Sequence, residues 1–302
     1  MTAVYPPGDP RAALAVQARQ ATAPRPAEVF ELSAEAPDRV LRNGTRSWLV
    51  RAQNFCLEVT ALVAGDELTE VSLPEEHIVL VQSGAVCVSD ENDGPVEVTD
   101  PSVVIVPPGS SRLRAGTNAL VVRLFSAHVD EVVARARNAG SYRTADPTVR
   151  RLPPVEAANS PGLRVHRLAD VPVSPGRLGR IFRSSSLMVN WFADEHQPRD
   201  PDKLSPHSHD DFEQGSITLA GDFVHHLRTP WTQRLADWRD DEHHLVTSPS
   251  VTIIPPPVVH TTQGVGQGVH QLVDVFAPPR ADFLAQGWVL NAGDYPEPGD
   301  PS

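Results

Sequence analysis

Two histidines and a glutamate lie close together in the second half of this 302-residue chain, in the run Pro206-His207-Ser208-His209-Asp210-Asp211-Phe212-Glu213. On an extended strand, side chains two residues apart share a face, so His207, His209 and Glu213 would point the same way. Neutral imidazoles and a carboxylate are ligands for divalent transition metals. His260, which follows the prolines at 255–257 and an apolar run, would supply the other half of the site. The pattern predicts one divalent metal bound by His207, His209, Glu213 and His260.

Short strands must position these ligands. The apolar, β-branched runs at 78–81, 103–106, 120–122 and 251–254 are bounded by Gly, Pro, Asp or Ser, which favours an all-β sandwich or barrel. Thirty prolines and nineteen glycines interrupt the chain too often for a helical bundle. We expect only a few short helices, at 11–22 and within 129–139.

An internal repeat has a period of about half the chain. VVIVPPGSSR (103–112) aligns with VTIIPPPVVH (251–260), and each copy continues through an apolar strand to a phenylalanine, Phe125 or Phe276. Upstream, the turn at Gly84 corresponds to the turn at Gly221. The second copy has extra residues after this turn, in HLRTPWTQRLADWRDDEHHL, where we expect an enlarged hairpin. A duplicated β domain is the simplest interpretation.

The HxHxxxE run before a glycine turn, followed by PxxxxH after an apolar strand, resembles the two motifs of the cupin superfamily. The resemblance implies an all-β chain of two tandem cupin jelly-roll barrels, with the metal in the second. It carries the four ligand roles to His207, His209, Glu213 and His260. The expected divisions are an N-terminal segment (1–44), a first barrel (45–143), a Pro-rich connection (144–184), a second barrel (185–295) and a tail (296–302).

The first barrel is expected to bind no metal. In the alignment of the two copies, Glu70, Ser72, Glu76 and Arg112 stand where the second copy has its four ligands, so only the glutamate is retained. His77 is adjacent to Glu76 and would therefore lie on the opposite face of the strand. We expect a structural or dimer-forming role for this barrel.

Three histidines and one carboxylate leave one or two open positions on a metal that prefers five or six ligands, as in catalytic sites. The resemblance alone does not choose the reaction. We favour an Fe(II)-type dioxygenase that acts on a small polar organic substrate. A redox-silent isomerase, epimerase or lyase is the first alternative, and a non-catalytic small-ligand-binding protein is the second. Fe(II) is the favoured metal, with Ni(II), Mn(II), Cu(II) and Zn(II) as alternatives.

The redox-silent alternative needs a titratable side chain beside the open positions. His225, His226 and Lys203 are the candidates for this catalytic role. The sequence does not fix which of His225 and His226 faces the barrel interior. Trp231 and Trp238, in the enlarged hairpin, would either form a lid over the barrel mouth or pack on the surface.

Charge and cysteine content exclude several classes of protein. Asp and Glu (38) outnumber Lys and Arg (26), the net charge is −12, and no basic block occurs, so nucleic-acid binding is not expected. The sequence has neither a secretory signal pattern nor an apolar stretch of the roughly 20 residues that span a bilayer. Its two cysteines, Cys56 and Cys87, form no CxxC motif. We expect a cytoplasmic protein with a small-molecule substrate and no nucleic-acid or membrane partner, and a homodimer is left open.

Overall fold

The computed structural model describes residues 23–155, 162–174, 176–177 and 179–295. In this part of the chain, strands dominate and the two α-helices are short, which confirms the all-β class and the tandem barrels. The helix expected within 129–139 is present as α1 (Asp130–Arg135), and α2 (Ala281–Ala285) occupies the corresponding place after the second barrel. The helix expected at 11–22 lies outside the described residues.

Within the described residues, twenty strands build the two barrels. The strands of the first half are β1 (Glu28–Phe30), β2 (Arg39–Val40), β3 (Arg46–Arg51), β4 (Phe55–Leu62), β5 (Glu67–Leu73), β6 (His77–Ser83), β7 (Val86–Asp90), β8 (Val96–Val98), β9 (Ser102–Val106), β10 (Gly109–Ala115) and β11 (Ala119–Ser126). Those of the second half are β12 (Arg164–Arg167), β13 (Gly179–Arg183), β14 (Met188–Phe192), β15 (Gln214–Ala220), β16 (Asp222–Arg228), β17 (Glu242–Thr247), β18 (Ser250–Ile254), β19 (Val259–Val265) and β20 (Gln271–Phe276).

Each barrel consists of a large and a small sheet of antiparallel strands. The first barrel has a seven-stranded sheet in the order β12-β9-β6-β11-β4-β3-β2 and a four-stranded sheet in the order β5-β10-β7-β8. The second has a six-stranded sheet, β1-β18-β15-β20-β14-β13, and a three-stranded sheet, β17-β16-β19. The repeat is therefore a repeat of strand order as well as of sequence.

The two halves exchange strands. β1, from the segment before the first barrel, pairs with β18 of the second barrel, with Val29 opposite Thr252. β12, from the Pro-rich connection, pairs with β9 of the first barrel, with Val165 opposite Val104. The expected N-terminal segment and connection thus each carry a strand that extends the large sheet of the other half.

The largest apolar core lies between the two large sheets and takes side chains from both halves. It includes Trp48, Phe55, Leu57, Ile78 and Leu124 of the first half, and Phe182, Leu187, Trp191, Ile217 and Val275 of the second. The two sheets approach closely at Gly215, because a Cβ atom there would lie 2.9 Å from the Phe55 ring. Burial of apolar surface on both sides joins the two barrels into one unit.

A short motif after each barrel is tied to the backbone of its own half. In NAGSY (138–142), the Asn138 side chain accepts a hydrogen bond from the Arg51 N–H and donates one to the Arg51 carbonyl, both at 2.8 Å. In NAGDY (291–295), Asn291 makes the same pair of bonds with Arg183, at 2.9 and 2.8 Å. The duplication therefore includes the pair of hydrogen bonds between this asparagine side chain and the arginine backbone.

Candidate metal centre

Three of the four expected ligands converge in the second barrel. The ligand atoms of His207, His209 and His260 lie within 4.8 Å of one another. The backbones of His207 and His260 pair directly, with N···O distances of 3.0 and 2.8 Å, so residues from two distant parts of the sequence are fixed side by side. His209 and His260 are buried and His207 is exposed, which leaves the cluster open on one side.

Backbone carbonyls set the tautomers of two of these rings. Nδ1 of His207 lies 2.9 Å from the Ser205 carbonyl oxygen, and Nδ1 of His260 lies 2.9 Å from the Val258 carbonyl oxygen. A carbonyl only accepts, so in the neutral ring Nδ1 carries the hydrogen and Nε2 has a free lone pair. Burial lowers the pKa of His209 to about 3 and of His260 to about 4, so both are neutral near pH 7.

Gln214 supplies an oxygen to the same cluster. Its Oε1 lies 2.9 Å from His209 Nε2 and 3.3 Å from His260 Nε2. Because His260 Nε2 carries no hydrogen, this nitrogen and the amide oxygen present lone pairs to each other with no proton between them. A cation bound between them would remove this repulsion of lone pairs. Three imidazoles and one amide oxygen therefore fit a divalent transition metal.

The structure does not bring Glu213 to this cluster. Its carboxylate, 3% exposed, accepts hydrogen bonds from the Tyr142 hydroxyl at 3.0 Å and from the Gln53 N–H at 2.5 Å, and both donors belong to the first half. Residues 208–213 belong to no strand, and the chain bends at 210–211 before β15, so the alternation of faces assumed for a continuous strand is lost. Gln214 therefore lies at the position that the sequence analysis gave to Glu213.

The equivalent glutamate of the first barrel behaves in the same way. Glu76 accepts hydrogen bonds from the Tyr295 hydroxyl at 2.9 Å and from the Ser185 N–H at 2.8 Å. Arg164, on β12, adds a bond to its carboxylate at 2.7 Å. Glu213 and Glu76 thus belong to the contact between the halves, where each is held by a tyrosine that follows the other barrel.

A cavity of about 700 Å³ adjoins the histidines inside the second barrel. Its walls are partly apolar, with Phe192, Phe223, Leu272, Phe276 and Phe283. Polar lining comes from Asn190, Thr261, Thr262, His270 and Asp274. Asn190 Oδ1 and Thr261 Oγ1 are buried and have no hydrogen-bond partner within the chain, which leaves them available to a polar ligand.

Asp274 is a polar group of this site that the sequence analysis missed. It lies in the middle of β20, is 7% exposed and lines the cavity. Ser216 Oγ donates a hydrogen bond to its Oδ1 at 3.0 Å, and the Gln214 side chain donates another. Burial raises the pKa of Asp274 to about 7. The visible signal was a single charged residue within the apolar run LVDVF.

The structure resolves the orientation of the paired histidines on β16. His225 is fully buried on the barrel side, with Nδ1 3.0 Å from Thr262 Oγ1, and burial lowers its pKa to about 3. His226 points to the outer side, where its Nδ1 lies 2.7 Å from Nδ1 of His243. Of the two, only His225 faces the interior, and it is not among the residues that line the cavity.

The other sequence candidates lie at the rim or farther out. Lys203 borders the cavity, but its side chain is 80% exposed and its Nζ lies 3.4 Å from Asp200 Oδ2. Trp231 and Trp238 stack on each other with ring centres 4.1 Å apart, and they are 66% and 41% exposed. Neither tryptophan is part of the cavity wall, so they pack on the surface.

The interior of the first barrel is filled differently. Arg123, on β11 at the place that Asp274 has on β20, is 3% exposed and makes ion pairs with Glu58 and with Glu70, the latter at 2.5 Å. His77, at the place of Gln214, stacks on Phe125 with ring centres 5.4 Å apart. A guanidinium with two carboxylates therefore occupies the region that corresponds to the metal cluster.

Arg112 does not take the place that the sequence alignment gave it. Its side chain is 62% exposed on the outer face and pairs with Glu67 at 3.2 Å. Ser111 lies opposite Glu70, as His260 lies opposite His207, so the two copies are shifted by one residue at this point. A β-bulge between Gly109 and Ser111 accounts for the shift.

No described helix is both long and apolar enough to cross a membrane. Neither a family model nor a curated protein matches the sequence. Several solved structures match the fold. Oxalate decarboxylase from Lactobacillus farciminis, in a formate complex, shares 14% identity at a TM-score of 0.56 over 83% of this chain and 86% of that one. A variant of the Bacillus subtilis oxalate decarboxylase shares 12% identity at a TM-score of 0.57, over 83% of this chain and 77% of that one.

A third match extends the likeness beyond the decarboxylases. AerE from Microcystis aeruginosa shares 10% identity at a TM-score of 0.52, over 80% of this chain and 97% of that one. At such identities the likeness concerns the fold alone. The strand order, the internal repeat and these matches agree that the chain has the bicupin fold, two cupin jelly-roll barrels in one polypeptide.

Proposed function

We propose that this protein is a metal-dependent enzyme that acts on a small polar organic substrate in the second barrel. One observation carries the proposal: the ligand atoms of three histidines converge within 4.8 Å of one another beside a cavity of about 700 Å³. A closed structural site would surround its metal with protein ligands, whereas this cluster has protein on one side and the cavity on the other. The ligands would be His207, His209 and His260, with Gln214 as a fourth.

The favoured chemistry is oxygen-dependent, with Fe(II) as the metal. Such an ion, when bound, would supply the electron transfer that a reaction with O₂ requires. The chain's own residues would bind and enclose the substrate. The aromatic wall around Phe223 and Phe276 would exclude water from the substrate. The free Asn190 Oδ1 can accept a hydrogen bond from a polar substituent, and the free Thr261 Oγ1 can accept or donate one.

Asp274 favours a second candidate, redox-silent isomerisation or lyase chemistry. That chemistry needs a proton-transfer group at the cavity. Of the sequence candidates, His226 lies outside the barrel, His225 does not line the cavity, and Lys203 stays at the rim. Asp274 does line the cavity, and its pKa of about 7 suits a group that both takes up and releases a proton.

Oxygen consumption and metal exchange separate the two candidates. The protein stripped of metal would be loaded with Fe(II) or Zn(II) and offered small diketones, catechols and thiol acids in an oxygen electrode, with parallel reactions under argon. For the oxygen-dependent enzyme we expect turnover only with Fe(II) and O₂. Turnover with Zn(II) under argon would overturn this proposal in favour of the redox-silent one, and Asp274→Asn saturated with Zn(II) should then be inactive. A protein that binds neither metal would contradict both.

A further inference from the structure

The amide of Gln214 has two different faces, and only one can serve a metal. Its Oε1 lies toward Nε2 of His209 and His260, at 2.9 and 3.3 Å. Its NH₂ group lies on the other side and donates to the carboxylate of Asp274. If the amide were reversed, its NH₂ group would face the histidines and no oxygen would be offered there.

Asp274 is held so that it can enforce this orientation. It is 7% exposed, it lies on β20 opposite Ser216 of the neighbouring strand, and Ser216 Oγ donates to its Oδ1 at 3.0 Å. In its ionised form this carboxylate accepts from a hydroxyl on one side and from an amide on the other, and it has no hydrogen to offer to a carbonyl oxygen. The reversed amide would therefore place its oxygen against the carboxylate.

We propose that Asp274 is a positioning residue that aims the Gln214 oxygen at the metal and supplies, from behind this ligand, the negative charge that a ligand carboxylate would otherwise bring. The inference rests on the proposed metal site. Three imidazoles and an amide are neutral, so a dication bound by them in a buried site gains from a nearby anion.

The first barrel provides an internal comparison for the charge at this position. There the corresponding residue of β11 is Arg123, and its charge is matched by Glu58 and Glu70. Where the barrel carries its own cation, two carboxylates surround it. Where the ligands are neutral, the same strand position is a carboxylate. The charge at this strand position is thus positive in the first barrel, where carboxylates lie beside it, and negative in the second, where neutral ligands would hold a cation.

Four proteins test the proposal: the wild type, Asp274→Asn, Gln214→Glu, and the double variant with both substitutions. The affinity for Co(II) and Zn(II) would be measured by competition with a chromophoric chelator, and the visible spectrum of the Co(II) form would report the ligand set. Asp66→Asn, at a buried carboxylate of the first half, is the matched control. Thermal unfolding checks that each variant is folded.

We expect Asp274→Asn to bind metal at least about tenfold more weakly than the wild type and to shift the Co(II) spectrum. In Gln214→Glu two carboxylates face each other and cannot both stay ionised, so Asp274→Asn should strengthen binding in that background, to within about threefold of the wild type. The same substitution thus acts in opposite directions in the two backgrounds, which a merely structural role would not produce.

Two results would overturn the proposal. One is that Asp274→Asn binds metal as tightly as the wild type. The other is that the double variant binds metal more weakly than Gln214→Glu alone. If Asp274→Asn does not fold alone, the comparison of Gln214→Glu with the double variant still decides. A wild type that binds neither Co(II) nor Zn(II) is a different outcome, because it removes the proposed function itself.

Discussion

The substitution Glu213→Gln tests whether Glu213 is a metal ligand or part of the contact between the barrels. The carboxylate accepts from Tyr142 at 3.0 Å and from Gln53 at 2.5 Å, and neither of its oxygens is in the histidine cluster. A glutamine has one acceptor oxygen, so one of the two buried donors would face an NH₂ group. We expect the metal affinity to stay within about threefold of the wild type.

The stability should fall, by an amount that the buried hydrogen bonds set. Leaving one buried donor without an acceptor costs about 1–3 kcal/mol of unfolding free energy. At about 2 °C per kcal/mol for a chain of this size, the melting temperature should drop by roughly 2–6 °C. Burial raises the pKa of Glu213 to about 7, so the comparison belongs at pH 8, where the wild-type carboxylate is mostly ionised.

The assay combines chelator competition with denaturant unfolding. Gln214→Ala is the companion variant, and it should weaken metal binding at least about tenfold while Glu213→Gln does not. Glu76→Gln, at the equivalent contact of the first barrel, should lower stability and leave metal binding unchanged. If Glu213→Gln lost the metal while it remained folded, the glutamate would be a ligand and the assignment of Gln214 would be refuted.

Three further predictions concern both barrels. His207→Ala and His260→Ala should each leave little bound metal in elemental analysis of the folded protein, and full retention in both would contradict the site. Arg123→Met should cost about 3–5 kcal/mol in urea unfolding, because Glu58 would stay buried without its partner, and metal content should not change; a cost below about 1 kcal/mol would argue against the ion cluster. Burial lowers the pKa of His77 from 6.5 to about 3, so stability present above pH 6.5 is lost as the pH falls towards 3. Between pH 6 and pH 4, the free energy of unfolding of His77→Phe should therefore fall by about 1.4 kcal/mol less per pH unit than that of the wild type. Parallel plots of unfolding free energy against pH for the two proteins would show that the ring does not titrate in this way.

The sequence was sufficient for the fold and for three of the four residues at the centre. The β-branched runs, the paired proline turns and the repeat are local signals, and they predict tandem barrels without knowledge of any long-range contact. The convergence of His207, His209 and His260 could be predicted because their spacing relative to the turns determines where they lie on the barrel. Whether these residues bind a metal stays a prediction until the metal is measured.

The fourth position could not be found by strand parity. His209 and Glu213 would share a face only if the chain between them were extended, and the bend at 210–211 interrupts it. Asp274 and Arg123 were visible as single charges inside the apolar runs LVDVF and VVRLF, but the partners of such charges come from other strands. The repeated NAGSY and NAGDY motifs could have been recognised, and their tyrosines lead to the glutamates of the opposite barrel.

The exchange of β1 and β12 makes the chain equivalent to a dimer whose two subunits have been fused. Each copy consists of an arm and a barrel, and each arm lies on the barrel of the other copy. In a dimer of separate subunits, such an arrangement would come apart on dilution. Here the two copies are covalently connected, so the effective concentration at which they meet does not depend on the protein concentration. Tyr142 of the first copy, which holds the residue next to Gln214, therefore stays in place however dilute the protein is.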